Sequence, residues 1–312
     1  MSDLKLKDLR YLVAVADTRH FGRAAERCFV SQPTLSAQLK KLEDYLGVQL
    51  IERQPKRIAL TEAGAAIVAR AREMLQAGEE VLTLARSHRD PLAGRLRVGL
   101  IPTIGPYLLP RVAPAARKAL PRLLLLLYEY RTATLLEKLR AGELDLAILA
   151  LPVDLNGLEA RELYEEPFLV ALPSEHRLAK RAALRLDDLA DESLLLLEEG
   201  HCLRDQALAV CSRAGAAEDQ TFRATSLETL RQMVASGAGI TLLPELAARG
   251  VPGASGIVVK PFTKPIPMRR VGAVWRTSTA RRPAIDALCG IIAEQAKRAR
   301  ESRGERLRGG SR

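Results

Sequence analysis

The chain has 312 residues, 47% of them hydrophobic, and a formal net charge of +11 at pH 7. That length exceeds one ordinary compact domain and suits two or three, with enough apolar material for real cores. The basic excess favours an anionic partner such as nucleic acid or a membrane surface. The first ten residues carry scattered charges and no apolar segment, which excludes a signal peptide, and no apolar run, Leu123 to Leu127 included, is nearly long enough for a membrane span. A cytoplasmic protein with no membrane partner is expected. Its cysteines, Cys28, Cys202, Cys211 and Cys289, should then be thiols, unless a pair is there to be oxidised.

Leu9, Leu12, Val13 and Ala16 recur at helical spacing over residues 8–17, and a second helix fits 22–28. Val30 and Ser31 form a tight connection. Ser31 caps a third helix with Pro33 in its first turn, where a missing N–H costs little. Leu35, Leu39 and Leu42 share one face, and Gly47 ends the helix. Two short strands, 50–53 and 57–60, flank Gln54-Pro55-Lys56. A helix, a short turn and a second helix with polar residues near its start is how a helix-turn-helix reaches base edges. Gln32, Pro33, Thr34, Ser36, Gln38 and Lys40 are therefore the candidate contacts to double-stranded DNA, and Arg53, Lys56 and Arg57, on a basic wing, suit phosphate. Each polar residue of the third helix also has a plain reading as solvated surface. Cys28, among apolar helix positions, reads as a core thiol.

From Thr61, a good N-cap, one long helical pattern runs to about residue 89 and breaks at Asp90-Pro91-Leu92-Ala93-Gly94. A helix that long beside a small domain packs on another helix, often its symmetry mate. Strands then alternate with helices: strands at 95–101, 123–130 and 145–151, helices at 106–120 and 132–141. The alternation continues through 168–172, 193–197, 226–236 and 240–243 to a strand at 271–275 and a helix at 285–297. This predicts parallel α/β units, as one domain or two similar lobes. Residues 249–268 fit no element. The Arg-rich end, closing in Gly309-Gly310-Ser311, predicts a disordered basic tail. The domain boundaries expected are 1–60, 61–90, 91–298 and 299–312.

Cys202 and Cys211 lie nine positions apart, with no helix breaker from Leu203 to Ala214. In a helix, nine residues span about 13.5 Å and leave the two thiols on opposite faces. A disulfide needs Cα atoms roughly 4.4–6.8 Å apart, so bonding these two requires the helix to unwind. His201, Arg204 and a helix N-terminus would each favour a thiolate at Cys202, whereas Cys211 sits among Ala209, Val210 and Ala214. Spacing alone leaves two readings open: a redox pair, or two ordinary thiols on an α/β helix.

Motifs decide between them. Val30-Ser31-Gln32-Pro33-Thr34-Leu35-Ser36, Lys41-Leu42-Glu43, Leu46-Gly47-Val48 and Leu60-Thr61-Glu62-Ala63-Gly64 resemble the DNA-binding domain and linker helix of LysR-type transcriptional regulators. Gly200-His201-Cys202-Leu203-Arg204-Asp205-Gln206-Ala207, the run Leu100 to Pro110, Phe222 to Leu230, and Gly239 to Pro244 are similar to the OxyR-like hydrogen peroxide sensors of that family. The resemblance implies a winged helix-turn-helix, a linker helix that pairs dimers, and a periplasmic-binding-protein-like sensor of two α/β lobes. It implies Cys202 as the peroxidatic and Cys211 as the resolving cysteine, with peroxide held by Thr103, Thr132, His201, Asp205 and Arg269 (or Arg270 beside it). Its further implications are promoter DNA, a dimer of dimers, RNA polymerase and cellular thiol reductants as partners, with no cofactor. Thr103 and Thr132 also have a plain reading as helix N-caps, and Cys289 reads as a bystander.

A metabolite-sensing LysR regulator, with a small anion in the inter-lobe cleft, is the alternative, but it has no need of a Cys202/Cys211 pair. A thiol peroxidase or disulfide oxidoreductase would lack its Cys-x-x-Cys motif and leave the DNA-binding zone idle. A metal site has no second His–Cys pair at ligand spacing.

Overall fold

Ser31 sets where the third helix begins: its hydroxyl accepts the Thr34 N–H at 3.3 Å. The structure, a computed structural model, describes residues 4–54, 57–87, 90–248 and 256–309. The chain divides into two units, Met1–Arg89 and Asp90–Arg312.

In the first unit, α1 (Leu6–Thr18), α2 (Phe21–Arg27) and α3 (Gln32–Leu46) enclose a core of Tyr11, Leu12, Val15, Ala24, Leu35, Leu39 and Leu42. Gly47, at φ 69, closes α3 in the left-handed conformation a glycine adopts without strain. The wing is the antiparallel pair β1 (Ile51–Gln54) and β2 (Arg57–Leu60). The Glu43 carboxylate accepts the N–H groups of Leu50 and Ile51 at 2.8 and 3.1 Å, which ties the wing to α3. The long helical pattern is α4 (Glu62–Ser87), opened by Thr61, whose hydroxyl accepts the Gly64 N–H at 2.8 Å. Cys28 caps the end of α2 and is half-buried, packed against the core rather than within it. No helix among the described residues is long and apolar enough to cross a membrane.

The second unit has two cores. The first lobe holds β3 (Gly94–Leu100), α5 (Gly105–Ala119), β4 (Leu123–Glu129), α6 (Thr132–Arg140) and β5 (Leu146–Leu151). Next comes β6 (Leu158–Pro173), followed by β7 (Ser193–Leu197), α7 (Cys202–Ala214), β8 (Ala217–Ala224), α8 (Leu227–Ala235), β9 (Thr241–Pro244), α9 (Glu245–Ala248) and β10 (Ile257–Pro261). The apolar residues of β7, α7, α8, β9 and β10 make the second core. β11 (Met268–Arg276) and α10 (Arg282–Gly309) return to the first lobe.

The sheet is mixed. β3 pairs parallel with β4 and β5, as the alternation predicts, and β7 pairs parallel with β8, a strand for which the alternation has no place. β6 departs from it. It starts ten residues before the expected 168, pairs antiparallel with β11 over its first half and with β9 and β10 over its second, and so belongs to both lobes. Its first half is rich in charge (Glu159, Arg161, Glu162, Glu165), which hides the strand in a reading based on apolar runs. β10 falls in the stretch that fitted no element. The expected disordered tail is also corrected: α10 continues to Gly309. Its Ala, Glu and Arg residues are good helix formers, and Glu294 pairs with Arg298 one turn on.

Candidate functional site

Cys202 is the first residue of α7. The next apolar positions on that helix, Leu203, Ala207 and Val210, belong to the second core. Cys202 itself packs against the first. The thiol is thus a plug from one lobe inserted into the other. A small cleft at this junction is lined by Ile101, Pro102 and Thr103 from the turn after β3, by Arg131 and Thr132 at the start of α6, and by Gly200, His201 and Cys202.

Arg269, on β11, does not line the cleft but bonds one of its lining residues. Its Nη1 donates to the Thr103 hydroxyl and its Nη2 to the Thr103 carbonyl, both at 3.0 Å. Its Nε donates to Glu166 at 2.8 Å, and the carboxylate's other oxygen accepts the Leu246 N–H at 2.8 Å. Arg270, in contrast, is exposed and leans toward Glu162 at 3.7 Å. Of the two arginines, Arg269 is the one bonded to a residue of the cleft.

The helix-cap readings of the threonines fail. The N-caps of α5 and α6 are Ile104 and Arg131, and neither helix start carries a side-chain cap. Among the described residues, His201 Nε2 is instead buried with no hydrogen-bond partner, and the buried Thr132 hydroxyl makes no hydrogen bond of regular geometry and leans on the Cys202 thiol. Buried polar atoms are rarely left so poorly bonded, and two at one cleft suit a small polar guest. Asp205 is exposed on the first turn of α7 and does not line the cleft.

Burial pushes the Cys202 thiol above its ordinary value. Arg269 opposes this most, then Thr132, then the Ala150 backbone, while Asp205 adds to the rise. The groups expected to acidify Cys202 act otherwise. Burial and Arg131 lower the His201 pKa, so His201 is neutral near pH 7. Arg204 turns away to Glu218, donating to both carboxylate oxygens at 2.9 Å. The cation that favours the thiolate is Arg269, 67 residues away in sequence.

Cys211 lies on the same α7, whose nine-residue separation from Cys202 corresponds to about 13.5 Å along the axis. Its side chain lies outside the described residues. Cys289 is buried in the first core. On α3, Gln32, Pro33, Thr34 and Lys40 are exposed and Ser36 and Gln38 half-buried, opposite the Leu35–Leu39–Leu42 face. The Thr34 hydroxyl is 2.7 Å from that of Ser31. Arg53 and Arg57 lie on the wing strands, and Lys56 lies outside the described residues. Glu166 was missed by sequence reasoning, since nothing local marks a carboxylate whose partner is 103 residues on.

Residues 6–65 match the bacterial regulatory helix-turn-helix of the lysR family, and residues 89–297 match the LysR substrate binding domain. The chain is 46% identical over 289 residues to the DNA-binding transcriptional dual regulator OxyR of Escherichia coli K12, covering 93% of this chain and 95% of that one. It is similar to full-length OxyR from Pseudomonas aeruginosa, in a cysteine variant, with TM-score 0.77, 43% identity and coverage of 94% and 95%. It is also similar to a hydrogen peroxide-bound mutant of Corynebacterium glutamicum OxyR, with TM-score 0.67, 37% identity and coverage of 95% and 93%.

Proposed function

The chain belongs to the LysR family of transcription regulators, in its OxyR group of hydrogen peroxide-inducible activators, and from that premise we propose that Cys202 is its peroxide-reactive thiol and Cys211 its resolving thiol. The observation that carries this reading is the Cys202 thiol in a cleft beside the unpartnered His201 Nε2 and the Thr132 hydroxyl, which leans on that thiol. Hydrogen peroxide donates and accepts at both oxygens. It bonds the Thr132 hydroxyl and His201 Nε2, and accepts a hydrogen bond from the Thr103 hydroxyl, whose oxygen already accepts from Arg269.

The thiolate sulfur of Cys202 attacks one peroxide oxygen. The O–O bond breaks, an S–O bond forms, and the departing hydroxide takes up a proton and leaves as water; sulfur is oxidised by two electrons and peroxide reduced. Arg269 favours the thiolate, and the polar lining steadies the leaving oxygen. The Cys211 sulfur then attacks the sulfenic sulfur. An S–S bond forms, and the hydroxyl leaves as water with the Cys211 proton. About 13.5 Å of helix separates the two positions, so the start of α7 unwinds and Cys202 leaves the first lobe. That withdrawal alters how lobes pack in the oligomer, and with it the half-site spacing open to the DNA-binding units. Asp205, exposed beside the thiol, acts on its charge rather than on peroxide.

The recognition helix α3 reads promoter DNA, with Arg53, Lys56 and Arg57 on phosphate. The exposed Met74, Val81 and Leu82 of α4 support a dimer paired through that helix. A dimer of dimers, contact with RNA polymerase, resetting by cellular thiol reductants and a cytoplasmic location complete the reading. The test is titration of the reduced protein with low micromolar hydrogen peroxide, followed by peptide mapping and DNA footprinting. A Cys202–Cys211 disulfide, reversible by dithiothreitol and accompanied by a changed footprint, is expected. Two free thiols after treatment would overturn the redox assignment and leave the cleft to a small anion.

A further inference from the structure

The turn that delivers Cys202 is tied down from the opposite lobe. Arg131, the residue before α6, donates to the Glu198 carboxylate and, at 3.3 Å, to the Glu199 carbonyl. Gly200 follows with φ 88, and a Cβ on it would stand 3.3 Å from the Arg131 guanidinium. Residues 198–200 thus lie across that guanidinium before the chain enters the cleft, which Arg131 also lines. β7 ends at Leu197 and α7 begins at Cys202, so this turn must move whenever Cys202 leaves the first lobe.

We propose that the Arg131–Glu198 pair is a latch on the second chemical step: it holds the 198–200 turn against the first lobe and slows disulfide closure, while the first oxidation at Cys202 proceeds without it. Arg131 and Glu198 are positioning residues, since neither exchanges atoms with sulfur or peroxide. The latch rests on the assignment of Cys202 and Cys211 above. It acts on closure because the pair is intact while Cys202 occupies the cleft and must break before the thiol reaches Cys211. Its strength is modest. The Arg131 and Glu198 side chains are 47% and 33% exposed, so water and salt screen them. The expected effect is about two- to fivefold on the closure rate.

The experiment is rapid-quench kinetics on the full reduced chain, with alkylation and mass spectrometry separating sulfenic acid formation, second order with peroxide, from closure, first order and independent of peroxide. In Glu198→Gln closure is expected to be about two- to fivefold faster, with sulfenic acid formation unchanged. Rising ionic strength should speed closure in the wild type and do little in Glu198→Gln, a response that a merely structural contact would not give. Exchanging the charges, Arg131→Glu with Glu198→Arg, should restore slow, salt-sensitive closure relative to Arg131→Glu alone. An unchanged closure rate and salt response in Glu198→Gln would overturn the latch alone. A wild-type chain that never forms the disulfide would overturn the cysteine assignment, and the latch with it.

Discussion

Glu166 and Arg269 meet at 2.7 Å, with side chains 2% and 1% exposed. The pair joins β6, the strand common to both lobes, to β11, and reaches the active cleft through Thr103. Burying two charges costs several kcal/mol per ion, and only full hydrogen bonding offsets it. Here the Leu246 N–H and both groups of Thr103 supply that bonding. At the Cys202 thiol burial outweighs the opposing pull of Arg269.

This arrangement sets the pH dependence of the peroxide reaction. The thiolate is the reactive form, and burial holds the Cys202 pKa above the ordinary 9.0, so the wild-type rate rises with pH through that value. Glu166→Gln leaves Arg269 with an uncompensated charge, which strengthens its pull on the thiolate and moves the pH–rate profile to lower pH. It also destabilises the fold by about 3–5 kcal/mol, the usual cost of breaking a buried pair. Arg269→Met in the Glu166→Gln background moves the profile to higher pH, and the rate at pH 7 falls about tenfold for every pH unit the profile moves. Stopped-flow rates between pH 6 and 10 read both, and profiles that stay in place would remove Arg269 from the chemistry.

Thr132 separates function from stability. Its buried hydroxyl makes no hydrogen bond of regular geometry and leans on the Cys202 thiol, so Thr132→Val removes a poorly satisfied group. The melting temperature should stay level or rise, by the equivalent of about 1 kcal/mol. The rate of Cys202 oxidation should fall about tenfold or more, because one donor to peroxide is gone. Thr103→Val, by contrast, strips an acceptor from buried Arg269 and should cost about 1–3 kcal/mol of stability as well. Equal melting losses in the two variants would contradict this division.

On the DNA side, Gln32→Ala on the exposed start of α3 should cost about 1–3 kcal/mol on the cognate site and relax discrimination at one base pair. Arg53→Ala on the wing should weaken all sequences alike and reduce the salt slope by about one. Binding titrations at several salt concentrations distinguish the two. A Gln32 variant with unaltered sequence preference would make that residue a solvated one.

Much of this was legible in one dimension, for local reasons. The Ser31 cap, Pro33, the Leu35–Leu39–Leu42 stripe, Gly47 and Thr61 each act on the few residues next to them, so the DNA-binding unit and α4 can be read from spacing. The helix linking Cys202 to Cys211 is local too, and with it the geometric conflict that makes a disulfide a switch. The full extent of β6, and β10 altogether, were not legible. One carries charge along its first half, and the other lacks an apolar period.

The electrostatics of Cys202 belong to the tertiary structure alone. The neighbours in sequence, His201 and Arg204, turn out neutral or committed to Glu218, whereas the groups that act on the thiol, Arg269 and Thr132, come from distant elements. The sequence by itself determined the helix-turn-helix, the linker helix and the spacing of the cysteine pair, because helix geometry and capping are short-range. Only the folded chain decided that Cys202 is a buried plug between lobes, with Arg269 opposing the effect of burial on the thiol and Arg131 bonded to the turn before it, because Coulomb interactions and desolvation depend on distance in space and not along the chain.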